Sequence, residues 1–136
     1  MEVKQKIIDK EFQTLKKRFL TKREKIKIDF LKQNKAISCC KANSQLIDEI
    51  IIEINKLKAK HFIESNVIFC ICAVGGYGRE LLAPHSDLDL LFLFQKNVSQ
   101  ESKKKLVELF LFPLWDLGLN IGYAVRNVEE SIRSVS

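Results

Sequence analysis

Two short runs of β-forming residues, separated by a glycine-rich turn, constrain the fold of this chain more than any other feature. The first run is Val67–Val74 (VIFCICAV) and the second is Asp87–Phe94 (DLDLLFLF). Short, mostly apolar segments of this kind are typical of buried strands. Three of the five glycines in the chain lie directly after the first run, in Gly75–Gly78 (GGYG). The pattern predicts two buried strands, the first of which ends in a tight turn.

Helical patterns precede and follow these two strands. Residues 5–33 place apolar side chains at helical spacing among lysines, which predicts one helix or two in line. After a connector over 33–43, a second helix is predicted from its N-cap Ser44 to about Lys60. Ser99 is expected to cap a third helix, and Ile121–Val125 is a third strand candidate. The chain is therefore expected to be an α+β protein with about three strands.

The positive charge of the chain is confined to its N-terminal part. Residues 1–60 hold 16 Lys and Arg against 8 Asp and Glu, whereas residues 61–136 hold 7 against 9. We therefore separate a basic helical region over 1–60 from the segment 61–136. A lysine-rich helix is most often a solvated face, and a nucleic-acid-binding module is the alternative. Phe12 and Phe19 lie on the apolar stripe and not among the lysines, which argues against base stacking.

We expect neither a membrane span nor a secretory signal in this sequence. Its apolar runs are far too short to cross a bilayer, and its N-terminus has no apolar h-region. The four cysteines form no disulfide framework, so we expect a cytoplasmic protein. Neither Cys39 and Cys40 nor Cys70 and Cys72 have the spacing of a zinc motif, and we expect all four to be small buried apolar residues.

Two carboxylates at the start of the second run are candidate metal ligands. Asp87 and Asp89 alternate along a strand, so both side chains point to the same face. Two carboxylates beside apolar residues repel each other and resist desolvation. A divalent cation relieves both effects, and Mg²⁺ prefers one or two carboxylates together with phosphate oxygens and water. The spacing therefore predicts that Asp87 and Asp89 bind Mg²⁺.

Phosphate-binding groups accompany these carboxylates. The turn at Gly75 and Gly76 offers backbone N–H groups to an anion. The planar guanidinium of Arg79 suits phosphate, and the Ser86 hydroxyl precedes the acidic pair. The segment is neither a Walker A loop, which continues with Gly-Lys-Ser/Thr, nor a dinucleotide fingerprint, which needs a longer crossover. Glycines for phosphate followed by carboxylates for metal predict a metal-dependent nucleotide site.

The segment from Gly75 to Leu91 closely resembles the nucleotidyltransferase signature of the bacterial enzymes that uridylylate the signal protein PII. That signature runs Gly-Gly-Tyr-Gly-Arg, a variable pair, then Leu-x-Pro-x-Ser-Asp-hydrophobic-Asp-Leu-Leu. A second block, Pro113–Arg126, is similar to the family's Pro-Leu-Trp-Asp-x-Gly-Leu-x-Val-Gly-x-x-Val-Arg stretch. The resemblance implies a polymerase-β-like fold, a small mixed sheet backed by helices. Residues 61–136 would form the N-terminal part of that domain, preceded by the basic helices.

The resemblance also implies an activity and a set of roles. The family transfers UMP from UTP to a tyrosine of PII. Asp87 and Asp89 would be the catalytic metal ligands, and the triphosphate would lie against the segment's phosphate-binding residues, namely Gly75, Gly76, Arg79 and Ser86. The base contacts lie outside the signature, so another nucleoside triphosphate is an alternative to UTP.

The family's third carboxylate follows the second block and is expected beyond Ser136. Its hydrolase and ligand-sensing domains are also expected to be missing, so we interpret the chain as truncated. The alternative interpretation is a non-catalytic remnant that binds nucleotide or a protein partner.

Overall fold

The computed structural model of the protein describes residues 2–61, 67–79, 82 and 86–129. These residues form helices and a three-stranded sheet, which confirms the α+β class. The elements in chain order are α1 (Glu2–Gln33), α2 (Ala36–His61), β1 (Phe69–Val74), α3 (Gly75–Gly78), β2 (Leu88–Phe94), α4 (Gln100–Asp116) and β3 (Ile121–Asn127). The chain divides into two compact units. The helical unit contains Met1–Ile63 and Glu80–Ser86, and the sheet unit contains Glu64–Arg79 and Asp87–Ser136.

In the helical unit, α1 and α2 form a helical hairpin with a very short connection. Asn34 adopts a left-handed φ of 53° and its N–H donates to the carbonyl of Phe30 at 2.7 Å. Asparagine tolerates this conformation, so it reverses the chain within one residue. The second helix then starts at Ala36. The predicted connector over 33–43 is therefore wrong, because one left-handed residue ends α1 and the next helix begins almost at once.

The two helices bury a shared apolar face. On α1 the predicted stripe is confirmed where it is deepest, at Ile8, Leu15 and Phe19. The facing residues of α2 are mostly isoleucines and leucines that are also buried; they are Leu46, Ile47, Ile50 and Ile54. At the rim, Lys22 and Glu49 form an exposed ion pair of 2.8 Å, which contributes little to stability. The hairpin is therefore held mainly by burial of apolar side chains.

Ser44 has a role that differs from the predicted N-cap. It lies inside α2 and not at its start, because the helix begins two turns earlier than expected. The residue is buried, with 2% of its surface exposed. Its Oγ accepts a hydrogen bond of 3.0 Å from the backbone N–H of Leu82, and Nδ2 of the neighbouring Asn43 donates to the Leu82 carbonyl at 3.1 Å. The backbone N–H and carbonyl of Leu82, a buried residue of the signature, are thus both hydrogen-bonded to side chains of α2.

Replacing Ser44 with Ala is expected to lower the free energy of unfolding by about 1–3 kcal/mol, because the buried N–H of Leu82 loses its acceptor. Chemical denaturation followed by circular dichroism measures the effect. Ser38→Ala, at an exposed position of the same helix, is the matched control and should change stability far less. Equal stability of the two variants would contradict the anchoring role of Ser44.

The sheet unit contains a mixed sheet in the order β1-β2-β3, as the resemblance implies. Strands β1 and β2 are antiparallel, and β2 and β3 are parallel with α4 as the crossover. Ser99 caps α4 as predicted, since its Oγ accepts from the N–H of Ser102 at 3.1 Å. The helix ends before Gly118, whose φ of +83° suits a C-terminal cap.

The two faces of β2 differ in burial. Leu88, Leu90, Phe92 and Phe94 are buried, whereas the alternate residues, beginning with Asp89, are only half-buried. The ring of Phe110 on α4 packs 6.3 Å from that of Phe92, so α4 covers the buried side. The opposite side we call the Asp89 face; alternation and register place on it Cys70, Cys72, Val74, Asp89, Leu91, Leu93, Gly122, Ala124 and Arg126.

Candidate active site

The site is built where three strand ends meet at one edge of the sheet. The register places Asp89 beside Val74, the last residue of β1, and beside Gly122, the second residue of β3. The glycine-rich segment begins directly after Val74. The fold therefore brings a carboxylate from β2 against glycines from both neighbouring strands.

The Asp89 carboxylate lies between two glycines. A Cβ added at Gly75 would be 2.8 Å from Oδ2, and a Cβ added at Gly122 would be 2.7 Å from Oδ1. Real Cβ atoms essentially never approach that closely, so any larger residue at either position would displace the carboxylate. Both glycines are themselves exposed. The missing side chains therefore leave room on both sides of an acidic group that the sheet holds in place.

Gly122 was missed by sequence reasoning. The sequence signal was available, since Gly122 lies in the second block of the resemblance, Pro113–Arg126. Its position beside Asp89 is set only by the parallel pairing of β2 and β3.

The glycine-rich segment coils into the single turn of α3. Gly75 has a left-handed φ of +61°, and the N–H of Arg79 is shared between the carbonyls of Gly75 and Gly76 at 3.3 Å each. A Cβ at Gly78 would lie 2.8 Å from the carbonyl oxygen of Ala73, so this turn also requires glycine. Tyr77 is buried. The predicted tight turn is therefore present, as one turn of helix.

The other predicted site residues differ in their exposure and in the part of the fold that contains them. Asp87 is exposed and precedes β2, which begins at Leu88 and not at Asp87 as predicted. Arg79 is exposed in the turn after α3, and Gly76 is half-buried within α3. Ser86 is exposed and belongs to the segment assigned to the helical unit. The structure thus brings together Gly75 and Asp89, while the roles of Gly76, Arg79, Ser86 and Asp87 stay predictions.

The donor chemistry of the site suits a hard cation. Neither Asp87 nor Asp89 forms an ion pair with another described residue. In the described ranges, no group of three or more His, Cys, Asp or Glu residues could hold a metal ion. Mg²⁺ needs only one or two carboxylates when phosphate and water supply the other oxygens. The Asp89 carboxylate, which two glycines keep clear, therefore fits Mg²⁺ bound together with a triphosphate. The contribution of Asp87 stays a prediction.

In the part of the chain that the structure describes, no helix combines the length and the apolar character needed to cross a membrane.

Comparison with known families identifies the class of protein to which this mixed sheet, with its acidic strand end and glycine-rich turn, belongs. The family model of nucleotidyltransferase domains matches residues 58–134. The chain therefore belongs to the nucleotidyltransferase domain family.

Bifunctional uridylyltransferase/uridylyl-removing enzymes are among its curated relatives. The chain is 36% identical to that of Gluconobacter oxydans over 97 residues and 37% identical to that of Azospirillum brasilense over 116 residues. These matches cover 71% and 82% of this chain, but only 10% and 12% of the relatives. The enzyme of Caulobacter vibrioides is 50% identical over 66 residues, which cover 47% of this chain and 7% of the relative. No solved structure gives a significant match.

Proposed function

We propose that this chain binds a nucleoside triphosphate with Mg²⁺ and is part of the catalytic domain of a uridylyltransferase. The reaction would transfer UMP from UTP to a tyrosine of a PII-like signal protein in the cytoplasm. The observation that carries the proposal is the Asp89 carboxylate, placed at a strand end between Gly75 and Gly122. The activity for which the relatives are named and the signature over Gly75–Leu91 support uridylyl transfer in particular.

Each candidate residue has a proposed role. Asp87 and Asp89 would hold Mg²⁺, which supplies charge neutralisation for the triphosphate and for the leaving pyrophosphate when bound. Gly75 and Gly122 keep space free around the Asp89 oxygens. Backbone groups of Gly75 and Gly76 would contact the phosphates together with the side chains of Arg79 and Ser86.

The chain spans about a tenth of the length of these relatives. Nucleotide binding and UMP transfer are therefore tested separately. A chain that binds nucleotide without transferring it would fit the remnant interpretation. The division into a basic region over 1–60 and a catalytic domain over 61–136 is part of the same proposal.

Titration of UTP into the chain, with and without Mg²⁺, tests the proposal. Isothermal calorimetry should show UTP binding that strengthens at least tenfold when Mg²⁺ is present. Parallel titrations with ATP, CTP and GTP report the base preference. Mass spectrometry of a PII-like protein incubated with the chain and Mg²⁺-UTP distinguishes a transferase from a remnant. Nucleotide affinity that is the same with Mg²⁺ and with chelator would contradict the proposed site.

A further inference from the structure

Two thiols lie side by side on the edge strand of the sheet. The Sγ atoms of Cys70 and Cys72 are 3.9 Å apart, within the range of a weak S–H···S hydrogen bond. Cys70 is exposed and Cys72 is half-buried. The prediction that these cysteines are buried apolar residues is therefore wrong for Cys70, because alternate residues of β1 point to the Asp89 face and not toward α4.

The separation of the two sulfurs suits chelation. Two thiolates that bind one tetrahedral Zn²⁺ at about 2.3 Å each lie about 3.8 Å apart. The observed 3.9 Å meets this requirement with no rotation of either side chain. For a disulfide, the side chains would have to turn until the two sulfurs are about 2.05 Å apart. Residues i and i+2 of a strand also have Cα atoms about 6.6 Å apart, near the upper limit for a disulfide. The geometry therefore favours a shared cation over oxidation.

We propose that Cys70 and Cys72 form a two-thiolate binding site for a thiophilic d¹⁰ cation of the Zn²⁺ class. Both thiols lose their protons to solvent when the cation binds, and no electron is transferred. No third His, Cys, Asp or Glu joins them among the described residues, so water completes the coordination.

Ligand chemistry separates this site from the carboxylates on the same face. Thiolates select soft or borderline cations, whereas Mg²⁺ selects oxygen ligands and is expected at Asp87 and Asp89. The register pairs Cys72 with Leu91 and Val74 with Asp89, so the thiol pair lies one row along the sheet from the acidic residue. The Asp89 face would therefore carry two cation sites of different chemistry.

The pKa of the Cys72 thiol lies above its usual value. Partial burial raises the pKa of the Cys72 thiol, and the hydrogen bond with Cys70 and the charge of Cys70 raise that pKa further. A cation that binds this pair therefore has to displace the proton of Cys72.

Competition for Zn²⁺ with a chromophoric chelator, in excess Mg²⁺, tests the site on the whole chain. We expect one Zn²⁺ to bind per chain. Cys70→Ser and Cys72→Ser should each lower the affinity for Zn²⁺ at least tenfold. The variant with Cys39→Ser and Cys40→Ser is the matched control and should bind Zn²⁺ like the parent. Unchanged affinity in the first two variants, or loss in the control, would overturn the proposal.

Phenylarsine oxide gives a second measurement that does not depend on the folding of the Cys70 and Cys72 variants. This arsenical condenses with two thiols to form two As–S bonds and one water, without redox change. In the Cys39→Ser, Cys40→Ser protein, peptide mass analysis should find one adduct, on the peptide that contains Cys70 and Cys72, and bound Zn²⁺ should slow its formation. Absence of the adduct, or formation unaffected by Zn²⁺, would overturn the proposal.

Discussion

Asp89→Asn is expected to abolish the Mg²⁺-dependent part of UTP binding. The substitution keeps the size of the side chain but removes the charge of the one proposed ligand that the sheet holds between two glycines. Loss of an outer-shell partner typically lowers metal affinity 10- to 100-fold, so loss of a direct ligand should cost at least about 100-fold. Any residual nucleotide binding should be the same with Mg²⁺ and with chelator.

Calorimetric titration of Mg²⁺-UTP measures the Asp89 effect directly. Asp29→Asn changes the net charge equally at an exposed position of α1 and serves as the matched control. It should bind Mg²⁺-UTP like the parent. Circular dichroism should show that Asp89→Asn is folded, because its side chain forms no ion pair with any described residue. Retained Mg²⁺ dependence in folded Asp89→Asn protein would refute the assignment.

Gly122→Ala is expected to weaken Mg²⁺-UTP binding about 10- to 100-fold with little change in stability. The new methyl group would lie 2.7 Å from Oδ1 of Asp89, so the carboxylate has to rotate away. That motion costs little, because the carboxylate is the far end of a flexible side chain. The backbone of Gly122 has no left-handed φ, so alanine fits the strand itself.

Gly118→Ala is the matched control, with the opposite expectation. Gly118 has a φ of +83° and nothing within 4 Å of an added Cβ. Alanine there strains the backbone by about 1–2 kcal/mol but approaches no site residue. The control should therefore lose stability and keep Mg²⁺-UTP affinity, whereas Gly122→Ala should do the reverse. Wild-type affinity in Gly122→Ala would contradict the proposed function of this glycine.

Local patterns in the sequence predicted the strands and the glycine-rich turn between the first two, whereas the pairing of Asp87 with Asp89 stays a prediction. The apolar run of β2 and the glycines after β1 are patterns formed by a few consecutive residues, and such patterns determine local structure directly. Burial on both faces of β2 was wrong, because α4 covers the face of Phe92 and not the face of Asp89. An apolar run predicts a strand, but it does not show which face of that strand a helix will cover.

Two of the contacts that sequence reasoning missed join residues that are distant in the chain. Ser44 was predicted as an N-cap, whereas its hydroxyl accepts from Leu82, 38 residues away. Gly122 belongs to the proposed site because it pairs with Asp89 in the parallel ladder of β2 and β3. The register of parallel strands depends on the crossover through α4, and no local pattern encodes it.

Paramagnetic broadening by Mn²⁺, used in place of Mg²⁺, tests the central claim most directly. In amide NMR spectra of the ¹⁵N-labelled chain with UTP, Mn²⁺ should broaden the resonances of Asp89, Gly75 and Gly122 first. Excess Mg²⁺ should restore them. Selective broadening at those three residues would locate the nucleotide-linked cation at the proposed site. Broadening centred on the acidic residues of α2, with these amides unaffected, would contradict the account.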